Sequence, residues 1–162
     1  MKKFCIASIL FSFLLFSNAA EARNLGGRLG VGFTNQIAVG PSSTIPAISG
    51  KYYLSKATAL SGGLGFDTKS GDSIMALGMK AYHSLFFEEN LIFYTGIGLA
   101  YVSRITSKFQ VSGFLGTEFF LQGLPSLGFS FEVGIRGDST SGAFAIRTIG
   151  DSFLTAGMHF YF

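Results

Sequence analysis

Two histidines, His83 and His159, and a scatter of serines are the residues that could supply a base and a nucleophile for acyl transfer or hydrolysis. That chemistry needs a hydroxyl and an imidazole within hydrogen-bond reach. His83 is followed by Ser84, but neighbours in an alternating stretch point to opposite faces. Ser42, Ser73 and Ser139 fall in connections with no histidine close in sequence. His159 reads as a packed residue beside Tyr161. Metal chemistry fares no better: the only cysteine is Cys5, the histidines are far apart, and no carboxylate cluster has ligand spacing. Gly30-Val31-Gly32 and Gly96-Ile97-Gly98 sit inside extended stretches with no helix after them, so they are not phosphate loops. The expectation is a protein without catalytic residues, cofactor or metal, and not an enzyme.

What remains is a set of isolated charges. Arg28, Lys51, Lys80, Glu118, Glu132 and Arg136 each stand among glycines, serines and alanines in a chain with only 13% charged residues. Their role depends on the elements that carry them.

Those elements read as strands. Eight stretches alternate with period two: residues 25–34, 48–55, 58–67, 73–86, 91–103, 110–121, 127–136 and 154–162. In the first, Leu25, Leu29, Val31 and Phe33 oppose Gly26, Arg28, Gly30 and Gly32. In the seventh, Leu127, Phe129, Phe131, Val133 and Ile135 oppose Gly128, Ser130, Glu132, Gly134 and Arg136. Residues 143–149 fit either an extension of the last strand or the last loop. Tight turns at 55–57, 87–90 and 122–126 alternate with connections at 35–47, 68–72, 104–109 and 137–152, and the two longest of these exceed every tight turn. Pro41, Pro46 and Pro125 read as loop or turn positions. Short turns alternating with longer loops around an even number of strands predict an all-β fold, an eight-stranded antiparallel up-and-down transmembrane barrel.

The composition decides which face is out. The chain has 162 residues, 22 Gly and 19 Phe, with 15% aromatics. It is too apolar for disorder and too glycine-rich for a helical bundle. A soluble barrel would crowd its second face with Lys, Glu, Thr and Asn. Here that face is mostly Gly, Ser and Ala, with about one charge per strand. Small residues and lone charges suit the crowded bore of an eight-stranded barrel, and long apolar side chains suit a lipid-facing band about 25 Å tall. A charge buried alone costs several kcal/mol, so the interior charges are expected to pair. The sixth and seventh strands form a hairpin, which places Glu118 beside Glu132. Arg28 and Lys51, at similar depth, are the expected counter-charges. Such pairs plug the lumen; exchange of partners would make them a gate for a narrow channel for small or apolar solutes. Tyr52, Tyr101, Phe109, Phe160 and Tyr161 are candidates for interfacial girdles.

The ends of the chain fit export. Lys2 and Lys3 precede an apolar run from Phe4 to Phe16, too short to span a bilayer comfortably, and Ala20-Glu21-Ala22 follows as a cleavage site. Residues 1–22 are read as a secretory signal peptide and 23–162 as the barrel domain. Cys5 precedes the apolar run, which is not the place of a lipid-carrying cysteine, and no cysteine follows it. No later apolar run reaches 18 residues. The net charge of +3 includes Lys2 and Lys3 and forms no basic block, so no nucleic-acid partner is expected. The chain closes on MHFYF, and Met158, Phe160 and Phe162 recur every second residue.

That ending resembles the signal read by the outer-membrane barrel assembly machinery. With GGRLGVGF at the start and GLPSLGFSFEVGIR before the last loop, the stretch after the leader resembles the small eight-stranded outer-membrane barrels of the OmpA transmembrane domain and OmpX kind. The resemblance implies residence in the outer membrane of a Gram-negative bacterium, reached through the periplasm, with a periplasmic N-terminus and four outer loops. It implies a monomeric protein whose partners are outer-membrane lipid and lipopolysaccharide, and a structural or interaction role in the envelope. Lys69, Arg104, Lys108 and Arg147, in or beside the outer loops, are candidate lipopolysaccharide contacts. The chain departs from that family in having no soluble peptidoglycan-binding domain after the barrel, and in its short loops. Related architectures include lipid A-modifying enzymes, but the histidines here sit far from the outer loops.

Overall fold

A strand that buries one side and exposes the other needs a closed partner set, or it leaves an edge of unpaired backbone groups. The computed structural model meets this by closure. It describes residues 24–38, 44–68, 70–140, 143–148 and 155–162. The segment read as a signal peptide, Pro41, Ser42, Lys69 and Leu154 lie outside the described residues. The strands are β1 (Leu29–Ala38), β2 (Thr44–Tyr53), β3 (Thr58–Asp67), β4 (Ile74–Phe87), β5 (Leu91–Ser103), β6 (Lys108–Leu121), β7 (Leu124–Thr140), β8 (Ala143–Thr148) and β9 (Thr155–Tyr161). Each pairs antiparallel with the next from β1 to β7, and β9 pairs with both β7 and β1, which closes an eight-stranded barrel.

The alternation holds around the ring. Val31, Leu64, Leu77, Leu99, Val111 and Ile135 point outward, each 43–61% exposed. Ala47, Ser49, Lys51 and Tyr53 point inward, and none exceeds 5%.

Four expectations are corrected. Residues 143–148 are neither loop nor part of the last strand. They form β8, a separate strand pairing with the outer half of β7 from Ile135 to Thr140, while β9 takes the inner half from Leu127 to Glu132. Leu25, expected on the outer face, precedes β1 and is buried in the lumen at 1% exposure. Tyr161, a candidate for an outer girdle, is fully buried inside. Pro46 and Pro125 lie within β2 and β7, not in turns. Both sit where pairing is irregular: β1 and β2 change register between Thr34 and Ile37, and β6 and β7 between Phe120 and Leu121. A proline without an N–H is tolerated at such places.

The bore is filled from one end. Around the short turns, Leu25, Tyr53, Tyr82, Tyr94, Phe114, Phe120 and Tyr161 form an aromatic floor. Edge-to-face contacts hold it, with centroids 5.9 Å apart for Tyr53–Tyr161 and 5.3 Å for Tyr82–Tyr94. Gly30 makes room for it, since a Cβ there would lie 2.5 Å from Tyr161 Cε1. Toward the other end, Ile37, Ile45, Ala47, Ile74, Ala76 and Val102 form a second apolar cluster.

Candidate functional site

Between floor and upper cluster lies a polar layer. Lys51 Nζ donates to Glu118 Oε2 at 2.7 Å, from the opposite wall of the barrel. The hydroxyl of Tyr53 donates to the same oxygen at 2.7 Å, and that of Tyr161 to Oε1 at 2.5 Å. Lys80 Nζ donates to Glu132 Oε2 at 2.5 Å, and Tyr94 Oη to Oε1 at 3.2 Å. Aromatic faces complete the lysine shells: Lys51 Nζ lies 4.5 Å from the Tyr82 ring centre and Lys80 Nζ 4.7 Å from that of Phe114. Both carboxylates are buried to 1% or less, so their charge is met by donors rather than by water.

The expected pairing was half right. Lys51 does reach a carboxylate, but Glu118 and Glu132 do not share a layer. Glu118 is in register with Ser130 and Glu132 with Gly116, which sets them on a diagonal. Each therefore takes its own lysine, and the counter-charge of Glu132 is Lys80, not Arg28. Arg28 lies half-buried ahead of β1 and joins no ion pair among the described residues.

Arg136 is buried and pairs with Asp138, Nε to Oδ1 at 2.6 Å. Sequence reading missed Asp138 because it ended the seventh strand at Arg136. An i, i+2 spacing on one strand face was the available signal. Arg147 Nε approaches Asp138 Oδ2 at 3.4 Å from β8, so two guanidiniums share one carboxylate.

Reading by sequence proximity also missed a hydroxyl–imidazole pair. Ser49 on β2 and His159 on β9 both lie opposite Gly32 of β1. A Cβ on Gly32 would run into the backbone of Met158 and His159, and across this glycine Ser49 Oγ lies 2.8 Å from His159 Nε2. His159 Nδ1 is buried without a hydrogen-bond partner among the described residues, so no carboxylate orients the ring as in a hydrolytic triad. As expected, His159 sits in the lumen near Tyr161, with ring centres 6.3 Å apart, and His83 is exposed on the outer face.

A cavity of about 40 Å³ opens beside this layer, lined by Lys51, Lys80, Arg136, His159, Ser49 and Ser130 among others. No group of His, Cys, Asp and Glu among the described residues could hold a metal ion.

At the loop end Arg104 Nε donates to Asp72 Oδ1 at 2.6 Å, joining the β3–β4 and β5–β6 connections. That hydrogen bond, with the charge of Asp72, holds the Arg104 guanidinium pKa above its ordinary value. Lys108 is half-buried at the start of β6. At the chain end Phe160 and Phe162 stand on the outer face, 48% and 65% exposed, with Met158 half-buried between Phe33 and Phe129 in register. Comparison with family models, curated proteins and solved structures gave no match.

Proposed function

We propose that this protein is an integral outer-membrane β-barrel of a Gram-negative bacterium, exported through the periplasm and similar in kind to the OmpA transmembrane domain and OmpX. Its role in this reading is structural or interactive: it sustains envelope integrity and meets lipopolysaccharide or the cell surface through short loops. The observation that carries the proposal is the inversion of polarity. Large apolar side chains ring the outside at about half exposure, while Lys51, Lys80, Glu118, Glu132 and Arg136 lie within. A barrel evolved for water has little use for that arrangement, whereas acyl chains favour it. Strand length agrees, since β1 to β7 have 10 to 17 residues and about 9–11 suffice to cross a bilayer.

Phe160 and Phe162, outward on the closing strand, suit recognition by the barrel assembly machinery. Arg104, Lys108 and Arg147 lie at the loop end, where lipopolysaccharide phosphates would be. Lys69 belongs to the same proposal from sequence alone. In this reading the barrel is monomeric, binds no nucleic acid and catalyses nothing. The test is fractionation of cells expressing the chain, followed by gel migration with and without heating. Recovery in the outer-membrane fraction with a heat-dependent shift is expected. A folded protein that stays in solution without amphiphile overturns the proposal.

The cavity beside the ion pairs favours one second reading, a narrow channel. Planar-bilayer recording separates the two: steady open events support transport, and silence supports a plugged lumen.

A further inference from the structure

One row on the outer wall breaks its apolar run. Thr58 of β3 and Thr95 of β5 stand in register with His83 of β4, one on either side of it. Apolar residues bracket this row along the strands. Leu85 and Phe86 lie exposed on its turn side, and Leu60, Met79 and Ile97 on its loop side. His83 is exposed, and neither its ring nor the hydroxyl of Thr58 has a hydrogen-bond partner among the described residues. The Thr95 hydroxyl donates to the Phe114 carbonyl oxygen at 3.1 Å, so it adds no free donor. An imidazole offers at least one N–H in either protonation state. Water would satisfy it. Against hydrocarbon an unmet donor is costly, and an ionisable side chain there marks a site whose partner comes from outside the barrel.

The place of the row narrows what that partner is. His83 lies four residues before the end of β4, and Thr95 four after the start of β5. Along a tilted strand that is about 10 Å from the turn. The row is thus inside the apolar band but close to its turn-side edge, where headgroups give way to acyl tails. A groove of about 260 Å³ opens there, lined by Ala81, Tyr82, His83, Thr95, Gly96 and Ile97. Its occupant must bring a hydrogen-bond acceptor embedded in hydrocarbon. The ester carbonyls of a phospholipid are such acceptors and lie at that depth. A second copy of this chain fits less well, because its outward side chains are mostly hydrocarbon and offer acceptors chiefly from this same row.

We infer that the outer wall between β3 and β5 holds one phospholipid of the turn-side leaflet, its glycerol-ester region in the groove and an ester carbonyl accepting from His83, with the Thr58 hydroxyl beside it. This rests on the membrane proposal. In that reading the short turns face the periplasm, so the lipid is a phospholipid and not lipopolysaccharide.

The test is NMR of the folded full chain in phosphatidylethanolamine–phosphatidylglycerol nanodiscs. Overhauser effects from the His83 ring protons to lipid glycerol protons and the first acyl methylene are expected. The Met79 methyl, further along β4, should see mid-chain methylenes instead. Native mass spectrometry then counts retained lipid. His83→Leu removes the donor, and Ala81→Phe fills the groove while keeping His83. Each should lower the fraction of barrels carrying one phospholipid about tenfold. An ether-linked lipid of the same headgroups and chain length, lacking the carbonyl, should be retained as poorly by the unaltered chain. Acyl contacts at Met79 without glycerol contacts at His83 overturn the site and leave the membrane proposal standing. Lipid contacts at neither residue overturn both. Equal retention by the folded variants, equal retention of ether lipid, or a dimer in sedimentation that His83→Leu abolishes would each overturn the lipid assignment.

Discussion

Glu118 accepts from Lys51, Tyr53 and Tyr161, so its charge is met from three side chains at once. Removing one partner differs from removing the set. Lys51→Met leaves the carboxylate buried without its counter-charge, and a loss of about 3–5 kcal/mol is expected in urea unfolding of the folded barrel. Adding Glu118→Gln keeps an acceptor for the tyrosines and abolishes the stranded charge, so the double variant recovers most of that loss. A single variant costing less than about 1 kcal/mol would show that the pair does not hold the walls together. Gly30 makes a steric counterpart. Gly30→Ala drives a Cβ into the Tyr161 ring and is expected to cost about 1–3 kcal/mol. In a Tyr161→Leu background the same change costs much less, and the double-mutant cycle measures the coupling.

At the scale of the element, the strands were legible and their partners across the bore were not. Residues 58–67 and 91–103 were bounded correctly because turn residues cut off a clean alternation, and β3 and β5 have those limits. The starts of β2 and β7 were misjudged because Pro46 and Pro125 are usual turn signals, and only the bulges that excuse them show otherwise. Glu118 could be placed on the inner face from period two alone. That it meets Lys51 depends on closure and stagger of the whole ring, which bring β2 opposite β6 and which no local pattern encodes. The same holds for Ser49 and His159, 110 residues apart and joined over one glycine. β8 was ambiguous for a related reason. It is six residues long, and among the described residues it pairs only with β7, leaving Phe144 and Ile146 about 70% exposed. An appended strand of this kind should open independently of the barrel. Ala145→Pro removes a ladder donor there. Its expected effect is faster amide exchange across 143–148 with global stability changed by less than about 1 kcal/mol. A drop comparable to that of Lys51→Met would make β8 an integral stave.

For the whole molecule, face assignment and surroundings are separate matters. The alternation divides large apolar residues from small and charged ones, and the fold turns the former outward; what those residues touch follows only from the membrane proposal. Substitution at fixed exposure tests that step. Met79 and Ile97 lie outward near the middle of β4 and β5, and Phe160 outward near the end of β9. In water an exposed arginine at any of the three changes stability little. In a bilayer the cost depends on depth, about 2–4 kcal/mol at the midplane and about 0–1 near the interfaces. Met79→Arg and Ile97→Arg, measured by denaturant unfolding from lipid vesicles, are therefore expected to lose several-fold more stability than Phe160→Arg. The difference should shrink in detergent micelles, which deform around a charge more readily than a bilayer does. Equal, small losses at all three positions in vesicles would mean that the outer face does not lie against hydrocarbon, whatever its composition.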